Sequence, residues 1–226
     1  MGCPIGGSLR AEPSPFRFSD GEHDPLSTRQ WPGVNVESNV SPGPPQLPLR
    51  TDCAASAQMS GGAPCGSCHA PKELSWKTVI PPANEPGEPL VITGHVFKAD
   101  GKTPAKGMVL WVYHTDRTGY YNAQDDASHP RLNGWMKIGA DGKYEFRTIR
   151  PGAYPHRSTP AHIHAHVYGP GFSERSIEDF WFKDDPRINE KELKLQAQNG
   201  GHPVIVDVKR GADGVWRGER DIVIKQ

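Results

Sequence analysis

Residues 160–168 read Pro160-Ala161-His162-Ile163-His164-Ala165-His166-Val167-Tyr168. On an extended strand, residues i and i+2 face the same way. His162, His164 and His166 therefore share one face, and Ile163, Ala165 and Val167 the other, which suits a core. Such strict alternation is the period of a half-buried strand. Residues 90–98 (LVITGHVFK) and 143–149 (KYEFRTI) alternate in the same way, and 108–114 (MVLWVYH) is an apolar run of buried-strand length. Residues 177–182, 204–209 and 221–224 add three more strand-like runs. Asp-Gly pairs at 100–101, 141–142 and 213–214 sit where tight turns are needed. A turn or two of helix is expected over 189–197, stopped by Asn199-Gly200-Gly201. The pattern predicts an all-β fold, an antiparallel β-sandwich of about seven to nine strands over residues 76–226.

Upstream the character differs. Residues 1–75 carry scattered Pro, Gly and Ser, including Ser41-Pro42-Gly43-Pro44-Pro45, and read as a long irregular arm, extended or partly disordered, with the length to drape over the sandwich. The chain has 226 residues, with 25 Gly and 23 Pro, about a fifth of the total. Its 26 Lys+Arg balance 26 Asp+Glu, which argues against nucleic-acid binding by phosphate neutralisation. No apolar run approaches the roughly 18 residues of a membrane span. Met1-Gly2-Cys3-Pro4 shows no signal-peptide pattern, so a cytoplasmic location is the default expectation. A truncated start, or disulfides in the arm, would move the protein outside the cytoplasm. Cys3, Cys53, Cys65 and Cys68 all fall in the arm. Cys65-Gly66-Ser67-Cys68-His69 matches a haem-attachment pattern, but its Pro/Gly-rich surroundings lack the helices of a cytochrome. A disulfide or an exposed dithiol is the preferred reading. The sequence leaves the oligomeric state open.

Two imidazoles spaced i, i+2 on one face can share a metal ion. The nearby candidate partners are tyrosines: Tyr120 and Tyr121 after Gly119, and Tyr154 in Arg150-Pro151-Gly152-Ala153-Tyr154-Pro155. A phenol ionises near pH 10, so phenolate ligation calls for a strong Lewis acid. Ferric iron is one. His114 and His166 are expected to play supporting or structural roles, and Trp111, Trp135 and Trp181 to form core or pocket walls.

Three blocks together resemble the intradiol ring-cleavage dioxygenases: Gly119-Tyr120-Tyr121, the run from Ala140-Asp141-Gly142-Lys143-Tyr144 to Pro151-Gly152-Ala153-Tyr154-Pro155, and Pro160-Ala161-His162-Ile163-His164. The resemblance covers about residues 88–186. It implies a β-sandwich enzyme with non-haem Fe(III), held by Tyr121, Tyr154, His162 and His164. It further implies that a small aromatic diol chelates the iron and reacts with O2, opening the ring between the hydroxylated carbons to a muconate-type diacid. Tyr154 would release the iron and take up the substrate's proton.

Two departures stand out. Thr159 occupies the place where the family usually carries Arg, and Arg157 is the candidate to reach in as a catalytic substitute. Glu178-Asp179 replaces a frequent Thr-Gln pair, and Asp179 is expected to pair with Arg157. The alternative reading is a transthyretin-like sandwich, a binding module without a catalytic metal. It shares the Asp-Gly-x-Tyr-x-Phe and Pro-Gly-x-Tyr pattern but has no use for Tyr121, His162 and His164 together.

Overall fold

The computed structural model describes residues 65–124, 127–190, 194 and 204–225. Eleven strands occur among them: β1 (Lys77–Val79), β2 (Pro89–Phe97), β3 (Val109–His114), β4 (Leu132–Lys137), β5 (Lys143–Ile149), β6 (His162–Gly169), β7 (Phe172–Phe182), β8 (Ile205–Val206), β9 (Lys209–Arg210), β10 (Trp216–Glu219) and β11 (Ile222–Val223). One sheet runs β1-β5-β2-β10-β9 with β11 also on β2, and the other runs β4-β3-β6-β7-β8. The architecture is the expected all-β sandwich.

Two details correct the expectation. Eleven strands exceed seven to nine, because β1, β4 and β10 had no alternating apolar run to mark them and the run at 204–209 is divided between β8 and β9. The sandwich is also not purely antiparallel: β1 on β5, β10 and β11 on β2, and β8 on β7 all pair in parallel. The long central strands β2, β3, β5, β6 and β7 pair antiparallel. Most of the helical turn expected over 189–197 lies outside the described residues, as does the arm up to residue 64. Residues 65–75 contain no strand. Among the described residues, no helix is long and apolar enough to cross a membrane.

Alternation sorts each central strand between two apolar clusters. Leu110 and Val112 of β3, and Ile163, Ala165 and Val167 of β6, point between the sheets into the main core, where they meet Ile92, Tyr144, Phe146 and Phe180. Val109, Trp111 and Tyr113 point the other way and join Tyr121 and Tyr168 in a second cluster on the outer face. Every residue of β3 is therefore buried. That outer face is covered by Ala70 and Leu74 and flanked by Trp135 and Tyr154. The histidines of β6 stand on it.

Candidate functional site

Three elements bring the site together. β6 supplies His162 and His164, the loop after β3 supplies Tyr121, and the loop after β5 supplies Tyr154. The two loops are locked to each other. Gly152 N–H donates to the Asp116 carbonyl at 2.8 Å, and Thr115 Oγ1 donates to the Gly152 carbonyl at 2.7 Å. Asp116 caps the first loop, its Oδ1 accepting from Thr118 N–H at 2.7 Å and from Tyr120 N–H at 3.3 Å. Gly119 sits at φ 93°, and a Cβ there would run into Ala153 and Pro155. Tyr121 is buried while Tyr120 is exposed, so only the former faces the histidines.

The functional atoms converge. Tyr121 Oη lies 2.8 Å from His164 Nε2, and Tyr154 Oη lies 2.9 Å from the same nitrogen. The two phenol oxygens also touch each other. His162 Nε2 faces His164 Nε2 at 3.2 Å. Partners on the far side of each ring fix the tautomers: His162 Nδ1–H donates to the Pro160 carbonyl at 2.7 Å, and His164 Nδ1–H donates to Asp179 Oδ1 at 3.0 Å. Both Nε2 atoms then present lone pairs to one point. Two lone pairs at 3.2 Å repel unless an electrophile lies between them, and two phenol oxygens border the same point. Burial lowers the His162 pKa, which keeps that ring neutral, the form a metal binds. Burial pushes the Tyr121 phenol up when no cation is near, and contact with Tyr154 adds to the effect. The donor set, two neutral nitrogens and two phenols, fits a hard, highly charged cation.

The structure thus groups Tyr121, Tyr154, His162 and His164, and sets Arg157 beside them. The Arg157 guanidinium lies over the Tyr154 ring at 5.3 Å. The expected Arg157–Asp179 pair does not form, because Asp179 is engaged by His164. Asp179 also lies near enough to His162 and His164 to be counted with them as a ligand. Its bond to Nδ1, on the side away from the converging atoms, makes it a support instead. His114 takes the structural role expected of it, away from the converging atoms. It is fully buried on the inner face, where Nδ1 reaches the Thr115 carbonyl and Nε2 reaches Thr148 Oγ1, both at 2.6 Å.

Sequence reading missed two supporting carboxylates. Asp185 Oδ2 accepts from Ala161 N–H at 2.8 Å and fixes the entry to β6. Its place before Pro186 is a turn signal that does not say what the carboxylate binds. Glu174 accepts from Gly66 N–H at 2.9 Å and Ser67 N–H at 2.8 Å, and lies 3.1 Å from His166 Nδ1. Burial alone would raise its carboxyl, but these hydrogen bonds outweigh burial and hold it at about 2. Glu174 thereby docks the Cys65–Cys68 loop, closed by a disulfide, on the outer face beside Trp111 and Trp135. Cysteines so joined offer no thiols for haem attachment.

The family described as Dioxygenase matches residues 68–201. The protocatechuate 3,4-dioxygenase beta chain of Burkholderia cepacia is 29% identical over 183 residues, covering 72% of this chain and 76% of that one. Catechol 1,2-dioxygenase 1 of Acinetobacter lwoffii is 33% identical over 170 residues, 63% of this chain but only 53% of that protein, so the chain spans about half the length of this relative. Among solved structures, the dioxygenase domain of a dioxygenase carbohydrate-binding protein fusion from Streptomyces sp. SirexAA-E superposes with a TM-score of 0.51 at 27% identity, over 69% of this chain and 92% of that one.

Proposed function

Because this chain belongs to the intradiol ring-cleavage dioxygenase family, we propose that it is a non-haem Fe(III) enzyme that cleaves a catechol-type ring between its two hydroxylated carbons. Both atoms of O2 enter a muconate-type diacid product. Tyr121, Tyr154, His162 and His164 would hold the iron. When bound, ferric iron supplies Lewis-acid activation of a chelated diol toward O2. The observation that carries the reading is the convergence of two phenol oxygens and two imidazole Nε2 atoms, with both Nδ1 protons directed away.

The chain's own residues divide the remaining work. Tyr154 is the less enclosed phenol, half-buried where Tyr121 is buried. As the phenolate that ferric iron would hold, its Oη would be the base that takes a proton from the incoming diol. Arg157, over the Tyr154 ring, offers the nearby positive charge for an anionic substrate. It stands in for the arginine that the family carries at the position of Thr159. Tyr121 is pinned by the Gly119 turn and by its packing on Tyr113, and it stays in place as the fixed ligand. Tyr113 stacks on His164 at 4.7 Å and shields that side from water.

The test is a visible spectrum with metal analysis on one purified sample. The expected result is a red-brown protein containing iron, with a broad tyrosinate-to-ferric band that shifts when catechol is added. A colourless protein that stays colourless with ferric iron overturns the reading in favour of a metal-free binding module.

A further inference from the structure

The two histidines of the cluster are backed by different chemistry. His162 Nδ1–H donates to a neutral carbonyl, that of Pro160. His164 Nδ1–H donates to a carboxylate, that of Asp179. The sheet is shaped to make this contact. Between the pairs Ile163–Phe180 and Ala165–Ile177 the register of β6 on β7 slips, so Glu178 and Asp179 together oppose His164. An extra residue of this kind re-aims a side chain out of the regular pleat. Of the cations on adjoining segments, Arg157 lies over the Tyr154 ring and Lys225 pairs with Glu178 Oε1 at 3.5 Å, while Arg220 donates to the Glu178 carbonyl at 2.9 Å and lies near enough to interact with the Asp179 charge.

We infer that Asp179 is a positioning residue whose negative charge, delivered through His164, strengthens the preference for Fe(III) over Fe(II) that the two phenol ligands set. The inference rests on the ferric reading above. A carboxylate behind a ligating imidazole fixes its orientation and raises its basicity. Its charge also attracts a 3+ ion more than a 2+ ion, by one unit charge at the same distance. Asparagine in its place keeps an acceptor oxygen for Nδ1–H and removes the charge, so it separates orientation from charge. Alanine removes both.

The experiment measures the affinities of the full chain for ferric and ferrous iron by chelator competition, the ferrous arm without oxygen. In Asp179→Asn the ratio of ferric to ferrous affinity falls on the order of tenfold, and the tyrosinate-to-ferric band shifts. Asp179→Ser, also neutral, serves in its place if that variant melts early. Asp179→Ala weakens both affinities by about 10–100-fold, the ferric more than the ferrous. A neutral variant that binds iron with the wild-type ratio overturns the inference and leaves the ferric reading standing. Wild-type protein that binds no ferric iron overturns both.

Discussion

His162 and Tyr121 show how a single side chain decides the site. His162 Nε2 and Tyr121 Oη each contribute one of four converging atoms. His162→Ala removes a nitrogen donor, and Tyr121→Phe removes the buried phenol. Both are expected to lose most bound iron while melting within a few degrees of wild type, since each deletes a polar atom and not the strand that carries it. Metal analysis against a thermal melt checks this; full iron content in His162→Ala would refute the ligand assignment. Two of the four atoms could be placed by reading the residues, the histidines from their i, i+2 spacing; Tyr154 was one of three candidate tyrosines until the family pattern singled it out. The choice of Tyr121 over Tyr120 rested on the family pattern, and burial now separates the two. The partner of Asp179 was not legible, because a slip in strand register leaves no mark in the residue types.

At the scale of elements, the site depends on two loops held at a fixed separation by their backbones. Gly119 permits the approach twice over, by its φ of 93° and by the absence of a Cβ that would meet Pro155 Cδ at 2.9 Å. Gly152 serves through close contact alone, against Arg117 and the nitrogen of Gly119. Gly119→Ala is therefore expected to destabilise the fold by about 1–3 kcal/mol from the backbone conformation alone. It also pushes the Tyr154 loop away from Tyr121, so iron affinity falls more than stability does. Chemical denaturation and iron titration of the same variant check both; unchanged iron affinity would show that the loops do not set the tyrosine spacing. Long strands were legible where they bury one face, as in β2 and β5. Short edge strands such as β1 and β10 were not, because their order comes from pairing with a neighbour and not from their own apolar period.

For the whole molecule, the sandwich has placed one titratable group where its protonation opposes folding. His114 lies fully buried between the sheets, its two nitrogens occupied by Thr115 and by Thr148 on the opposite strand. Burial lowers its pKa to about 4, against an ordinary value of 6.5, and the Thr115 hydrogen bond only partly offsets this. In the unfolded chain the ring takes up a proton as pH falls below about 6.5, whereas in the folded protein it stays neutral until about 4. The unfolded state thus binds more protons across that window, and stability declines as pH falls through it. The shift corresponds to a loss of roughly 3 kcal/mol by the lower end. His114→Gln keeps a hydrogen-bonding side chain that cannot take up a proton in this range. Its stability should be lower than wild type at pH 7, yet flatter between pH 6.5 and 4. Urea unfolding at a series of pH values, on protein free of iron so that metal release does not intrude, tests this directly. Parallel wild-type and variant curves across the window would mean that this histidine does not govern the acid response.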